Sequence, residues 1–176
     1  MNEANGIQNI ISIYSNSLIV LSQYDRNSLE FYDLNDKITY EIQFEEALLA
    51  IQELKVYLIS KNEATMLFGN RKDDSFEGIL GNVVQSFDGN YVYPSIEEQA
   101  AHLLYFIIKN HPFSDGNKRI GAFIFVWFLE KNKHHIKKNG ELKINDNGLV
   151  ALALLVAQSN PAEMEQMIKL IVNLIN

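Results

Sequence analysis

Apolar residues recur three or four positions apart along most of this chain, which is the spacing of amphipathic α-helices. Segments with this spacing are 7–21, 44–61, 95–110, 117–132, 148–159 and 160–176. Residues 68–95 differ, because glycines recur there without a helical period and Asp88-Gly89 is a strong hairpin-turn signal. The pattern predicts an all-α fold with one small β-hairpin within Ile79–Tyr93, and a further short strand at 38–42.

Local signals predict where the helices begin and end. Ser95 and Glu98 form a capping box ahead of a long apolar stripe. That helix is expected to stop near Asn110, since Pro112 disfavours helical backbone at the residue before it. The next helix is expected to start near Gly116 or Asn117, and Asn160-Pro161 reads as the start of the last one.

The length of 176 residues predicts one domain. Within the domain 1–176 we expect N-terminal helices in 1–70, a flap hairpin at about 76–93, core helices in 95–132 and C-terminal helices in 145–176. A chain of this size can bury a substantial core.

Charge and cysteine content narrow the function. The net charge of −7 argues against a nucleic-acid partner, and the absence of cysteine excludes disulfides and fits a reducing cytosol. The N-terminus lacks the basic region of a secretory signal, and the longest apolar run, 120–129, is too short to cross a bilayer. We therefore expect a cytoplasmic protein without a membrane partner. The surplus of apolar helices raises a homo-oligomer as a hypothesis.

The stretch "NHPFSDGNKRIGAFIF" places polar chemistry at the entrance of a buried helix. A helix N-terminus offers unpaired N–H groups and partial positive charge, and Gly116 allows close backbone approach, so the loop is suited to an anion. Lys118 and Arg119 oppose the helix dipole unless an anion binds there. Asp115 could share Mg²⁺ with a phosphate, and His111 is the group able to accept a proton near neutral pH.

Each residue alone has a structural explanation. Asp115 or Asn117 could be a helix cap, and the two cations could form a solvated face. Their concentration within nine positions, 111–119, favours a binding site. The remaining histidines are interpreted as structural: His102 packed or half-exposed on its helix, and His134 and His135 solvated among lysines.

The segment "HPFSDGNKR" closely resembles the signature loop of the Fic family, protein-modifying nucleotidyltransferases whose pattern is His-x-Phe-x-Asp/Glu-Gly-Asn-Gly/Lys-Arg. The resemblance is strong from about Phe76 to Lys131. It implies a Fic-type helical bundle that transfers AMP from ATP to a hydroxyl group of a target protein. Position by position, the resemblance implies a general base (His111), a core anchor (Phe113), a Mg²⁺ ligand (Asp115) and a nucleotide-binding set (Ser114, Gly116, Asn117, Lys118, Arg119).

The resemblance also implies partners. The hairpin would act as a flap that positions the target segment, with Ile79, Leu80 and Val83 assigned to it. The inhibitory pattern of many Fic proteins is approached only at Ser159 and Glu163, where helix capping explains the same residues. Inhibition by a separate antitoxin chain therefore stays open.

Two departures from the common pattern leave the reaction open. Lys118 resembles the death-on-curing (Doc) branch, which transfers the γ-phosphate as a kinase. Ala122 replaces a second arginine that normally helps to hold the terminal phosphate. AMP transfer is the leading hypothesis, phosphoryl transfer is the second, and a non-catalytic binding module is the third.

Overall fold

A computed structural model of the protein describes residues 3–176. Within them the chain forms seven α-helices and one two-stranded antiparallel hairpin, which confirms the all-α prediction. The helices are α1 (Glu3–Asp25), α2 (Phe44–Ser60), α3 (Ser75–Val83), α4 (Ile96–Asn110), α5 (Asn117–Lys131), α6 (Asp146–Gln158) and α7 (Met164–Ile175), with strands β1 (Ser86–Phe87) and β2 (Asn90–Tyr91).

Helices α4 and α5 form the centre of the core. They pack most extensively against each other, and α3, α6 and α7 surround α4. Close approach depends on Gly121 of α5, since a β-carbon there would lie 2.8 Å from Cγ1 of Ile108. The Ser95 half of the predicted capping box forms, because the Ser95 hydroxyl accepts the backbone N–H of Glu98 at 3.1 Å, and the Glu98 carboxylate accepts the Ser95 hydroxyl at 2.7 Å.

The predicted last helix is also capped as expected. The side chain of Asn160 accepts the backbone N–H of Ala162 at 3.0 Å, and a short 3-10 turn, Pro161–Glu163, precedes α7. This supports helix capping as the explanation of residues 159–163. An additional cap is Asn145, whose side chain accepts the N–H of Gly148 at 2.8 Å ahead of α6.

The hairpin lies within Ile79–Tyr93, as predicted, but it is shorter than the flap expected at about 76–93. Its two strands have two residues each and are joined by Asp88 and Gly89, both with positive φ. Ile79, Leu80 and Val83, which were assigned to the flap, lie in α3 and are buried at 6%, 3% and 0% exposure. Together with Phe76 they have helical spacing, and the glycines between them were misread as breakers. Buried helical residues cannot offer a strand edge to a target.

The predicted strand at 38–42 is also absent, because this segment is held by side chains instead of a ladder. Oδ1 of Asn132 accepts the N–H groups of Thr39 and Tyr40 at 3.0 Å each, and its amide Nδ2 donates to the carbonyl of Tyr40 at 3.2 Å. Asn132 is 6% exposed. One buried asparagine thus satisfies backbone that a strand partner would otherwise pair.

A second anchor corrects the prediction that His134 is solvated. Its Nε2 lies 2.7 Å from the carboxylate of Glu97 and 2.8 Å from Nζ of Lys143. Glu97 is fully buried and also accepts the N–H of Asn35 at 3.0 Å. Burial alone would raise the pKa of Glu97, but the hydrogen bonds from His134 and Asn35 outweigh it and lower that pKa. Nδ1 of His135 is buried without a partner among the described residues.

His102 is packed, as predicted. Its ring stacks on Tyr93 with 3.6 Å between ring centroids, and its Nδ1 lies 2.6 Å from the backbone carbonyl of Glu98. Burial lowers the pKa of His102.

Helix α1 forms as its spacing predicts, but it is not buried. It contacts α7 near its C-terminal end, where the side chain of Gln166 donates to the carbonyl of Tyr24. Its large apolar residues are otherwise mostly more than half exposed. No helix in the described part of the chain is both long enough and apolar enough to cross a membrane.

Candidate active site

The candidate site is the loop between α4 and α5. Helix α4 ends at Asn110, as predicted, and His111 adopts left-handed backbone with φ 49° and ψ 58°. Among residues other than glycine, histidine is one of the types found there more often. The turn leaves the His111 side chain exposed, while the next two residues, Pro112 and Phe113, are buried.

The segment after α2 holds the loop through the main chain. The N–H groups of Lys72 and Gly69 donate to the carbonyls of Pro112 and Asp115 at 3.1 Å each. The N–H of Ser114 donates to the carbonyl of Asn70 at 2.8 Å. This pairing fixes the path of the loop through its main chain alone.

Lys55 supports that segment from beneath and was missed in the sequence. Its Nζ donates to the carbonyl of Met66 at 2.6 Å and to Oδ1 of Asn70 at 2.8 Å, and the residue is only 8% exposed. The available signal was a lysine four positions after Ile51 on the buried face of α2. The residues that Lys55 contacts, Met66 and Asn70, could not be identified from the sequence around it.

Phe113 and Asn117 fix the loop from within. The Phe113 ring is fully buried, with its centroid 4.9 Å from that of Phe76. Oδ1 of Asn117 accepts the Phe113 N–H, and Nδ2 of Asn117 donates to the Phe113 carbonyl, both at 2.9 Å. The amide of Asn117, which the resemblance assigns to phosphate, is therefore engaged in holding the loop.

Gly116 lets the loop enter α5 over a buried ring. It is the N-cap of α5, with φ 89°. A β-carbon at this position would lie 2.3 Å from Cε2 of Phe68, which is fully buried. Glycine is required here both for the backbone angle and for the space.

The entrance of α5 is a ready anion site. The backbone N–H groups of residues 116–119 donate to no acceptor in the part of the chain that the structure describes, whereas Asp115 pairs with Phe68 as a parallel β-bridge. A cleft of about 350 Å³ at this entrance is lined by His111 and residues 114–119. Unpaired N–H groups at a helix N-terminus, with the positive end of its dipole, bind phosphate and carboxylate groups.

Two charged side chains border this cleft. Arg119 donates from Nη1 to the carbonyl of Glu63 at 2.6 Å, and its guanidinium lies 4.7 Å from the centroid of the Phe68 ring. Its Nη2 lies 3.5 Å from Oδ2 of Asp115. The Asp115 side chain is 47% exposed, so its carboxylate is accessible from the cleft.

The protein alone offers no metal cage at this point. No group of three or more acidic, histidine or cysteine side chains lies within metal-binding distance in residues 3–176. Mg²⁺ usually takes one or two carboxylates and completes its shell with waters and substrate phosphates. A single accessible carboxylate, Asp115, beside a phosphate cradle fits that arrangement.

Beyond Lys118 and Arg119 the cleft continues into an apolar groove against α6. The groove has a volume of about 220 Å³, and its other lining residues are Ala122, Leu149, Val150, Ala153 and Leu154. Ala122 therefore adds an apolar wall and no charge. The side chains of Lys118 and Arg119 are the cations at the boundary between the two spaces.

The fold and the site define a helical domain with unpaired backbone N–H groups at the entrance of its central helix and an adjacent histidine. The sequence model of the Fic/DOC family matches residues 43–129, from the start of α2 nearly to the end of α5. The chain therefore belongs to the Fic/DOC family, whose domain is known for AMPylation-type transfer. Searches of curated proteins and of solved structures each found no match to this chain.

Proposed function

We propose that this protein transfers AMP from ATP to a serine, threonine or tyrosine hydroxyl group of a target protein. The observation that carries the proposal is the cleft at the entrance of α5, where the unpaired backbone N–H groups of residues 116–119 lie beside His111. Family membership supports a transferase. The identity of the transferred group rests on the chemistry below.

The phosphates of ATP fit the cradle by charge and geometry. Free N–H groups at a helix N-terminus can donate to phosphate oxygens, and the helix dipole adds partial positive charge. Lys118 and Arg119 add two formal charges at its edge. Gly116, by having no side chain, keeps the main chain within hydrogen-bonding reach of a phosphate oxygen. Ser114 lines the same cleft and adds a hydroxyl donor.

His111 is suited to the proton transfer. It lines the cleft, is exposed, and carries an imidazole, the side chain most often used as a general base. In the proposed step His111 removes the proton of the target hydroxyl, whose oxygen bonds to the α-phosphorus. The bond from that phosphorus to the bridging oxygen breaks, and pyrophosphate leaves with the electron pair.

Asp115 is proposed to hold Mg²⁺ that arrives with the nucleotide. When bound, the ion would neutralise phosphate charge as transfer proceeds. Arg119 lies close enough to Asp115 to keep its carboxylate at the edge of the cleft. Without a bridging cation, that carboxylate would repel the phosphates.

The target segment is proposed to pair with the hairpin. Its strands have two residues each, and Phe87 at the tip is 81% exposed. An extended peptide can add to such an edge through main-chain hydrogen bonds.

Phosphoryl transfer remains a second candidate because of two residues. Lys118 lines the cleft, and Ala122 gives an apolar wall where a second cation would hold the terminal phosphate. If the triphosphate binds in the reverse direction, the γ-phosphorus faces His111. The target oxygen then bonds to that phosphorus, and ADP leaves.

Two labelled ATP samples decide between the reactions. The purified chain is incubated with a cell lysate and ATP labelled on the α- or the γ-phosphate. We expect α-label on protein; transfer of γ-label alone would establish kinase action. Transfer of neither label, in a preparation shown by mass spectrometry to hold no bound partner chain, would favour the binding-module hypothesis.

The matched variants separate chemistry from folding. His111→Asn removes the base but keeps a residue that tolerates the left-handed backbone, so the fold should survive while transfer falls by about 100-fold or more. Lys118→Ala should weaken nucleotide binding, whereas Lys138→Ala, an exposed lysine outside the cleft, should not. Transfer by His111→Asn at the wild-type rate would remove histidine from the mechanism. Asp115→Asn should weaken Mg²⁺-dependent nucleotide binding in a titration.

A further inference from the structure

Helix α1 carries an apolar seam that the described chain leaves uncovered. The seam consists of Ile7, Ile11, Tyr14, Leu18 and Leu21. These residues alternate in steps of four and three, which is the spacing of the a and d positions of a coiled coil. The exposure of these five residues is between 53% and 61%. An amphipathic helix that only packed on its own domain would bury this face.

We propose that the α1 seam pairs with the α1 seam of a second copy of this chain. The charge pattern favours self-pairing over a charged partner. Residues 4–24 contain no Asp, Glu, Lys or Arg, although each copy carries a net charge of −7. Coiled coils select different partners through charges at the flanking e and g positions, and here those positions are neutral. Two copies can therefore meet along α1 without bringing like charges together.

The available area meets the requirement of a stable dimer. The five seam residues and the adjacent Ile10, 59% exposed, offer together on the order of 650 Å² per copy, or about 1,300 Å² for two, above the ~1,000 Å² that separates specific interfaces from incidental ones. Contact with α7 already anchors the C-terminal end of α1. Pairing of two anchored α1 helices therefore loses less conformational entropy than the association of two free helices would.

Charge placed on either face of α1 tests the proposal. The full chain is examined by analytical ultracentrifugation over a range of concentrations, with Leu18→Glu and Asn16→Glu as matched variants. Leu18 lies in the seam, Asn16 lies on the opposite face, and both are exposed, so each variant should fold. We expect the wild type and Asn16→Glu to reach twice the 20.1 kDa mass of the chain, and Leu18→Glu to stay at 20.1 kDa.

Other outcomes overturn the proposal. The first is a wild type that stays monomeric at all concentrations, whether or not it co-elutes with another polypeptide. The second is a dimer that Leu18→Glu leaves intact. The third is an equal loss of dimer in Leu18→Glu and in Asn16→Glu.

The absence of native cysteine allows a second test. Tyr14 is the midpoint of the seam, so parallel and antiparallel pairing both bring it near its copy. Tyr14→Cys should therefore be joined by a short bis-maleimide reagent, and Asn16→Cys should not. Cross-linking of Asn16→Cys without Tyr14→Cys would place the interface on another face of α1.

Discussion

The Gly116→Ala substitution tests whether the phosphate cradle depends on a glycine packed over a buried ring. Gly116 has φ 89°, and an added β-carbon would lie 2.3 Å and 2.4 Å from two ring carbons of Phe68. Atoms at that separation overlap, and Phe68 is fully buried, so its ring must shift within the core. The substitution therefore imposes both backbone strain and overpacking.

A second glycine separates these two costs. Gly140 has nearly the same backbone angle, φ 87°, but no atom lies within 4 Å of its virtual β-carbon. Gly140→Ala should lose only the strain of left-handed backbone, about 1–2 kcal/mol. Gly116→Ala should lose this amount and a further ~1–3 kcal/mol for overpacking against Phe68. The expected difference in the free energy of unfolding between the two variants is the cost of the steric overlap with Phe68.

Urea unfolding of the two variants measures that difference. The midpoint should fall further for Gly116→Ala, with the slope of the free energy of unfolding against urea unchanged. At a temperature where Gly116→Ala is still folded, its nucleotide affinity should also fall, because the N–H groups of residues 116–119 shift with the loop. Gly140→Ala should bind nucleotide normally.

A double-mutant cycle with Phe68→Leu completes the test. A smaller side chain at position 68 makes room for the added methyl group, so Gly116→Ala should cost about 1–2 kcal/mol less in the Phe68→Leu background. Equal losses for Gly116→Ala and Gly140→Ala, or a cycle without coupling, would refute the steric argument.

Two further predictions concern stability away from the cleft. Asn132→Ala should lower the free energy of unfolding by about 2–4 kcal/mol, since it leaves the N–H groups of Thr39 and Tyr40 unpaired. Urea unfolding measures this loss, with the exposed Asn139→Ala as the control. Equal losses of stability in the two variants would contradict the prediction. Burial lowers the pKa of His102, so on acidification the unfolded chain takes up a proton before the folded chain does. The free energy of unfolding should thus decline as pH falls below about 6.5, and His102→Gln should remove part of that decline; identical pH profiles for both proteins would exclude His102 as its source.

Local signals were sufficient for the elements that form the site. Pro112 ends α4 near Asn110, and the glycine at 116 marks the start of α5, because both act through the backbone of adjacent residues. The capping box of Ser95 and Glu98 works over three residues. Such signals can be read in any chain, since they require no knowledge of distant segments.

The hairpin shows where local signals mislead. Asp88-Gly89 marks the turn correctly, but the recurring glycines upstream of it, Gly78 and Gly81, hide the helical spacing of α3. In α3 neither glycine has positive φ, and a β-carbon on either would meet nothing within 4 Å. Helical spacing from Phe76 to Val83 outweighed the glycines, because burial of that face stabilises the helix more than two glycines destabilise it.

Contacts across long separations could not be read from sequence at all. The carbonyl of Asn70 and the N–H of Ser114 are paired across 44 positions, and neither side chain takes part in that bond. The supporting Lys55 was visible only as a charge on an apolar face. Helix α1 presents the related problem that spacing predicts an apolar face but does not say whether its own domain or another copy covers it.

Because the cradle is built from main-chain groups, its affinity and its chemistry depend on different residues. The proposed phosphate binding depends on the path of the loop, which Phe68, Phe113 and Asn117 hold from inside the fold. The direction in which a nucleotide lies depends instead on the edge of the cleft, where Lys118 is present and Ala122 adds no cation. Variation at the edge can then change which phosphorus faces His111 while the cradle stays intact. We therefore expect substitutions at positions 118 and 122 to change which reaction occurs. Substitutions at Phe68, Phe113 or Asn117 should instead change the affinity for phosphate.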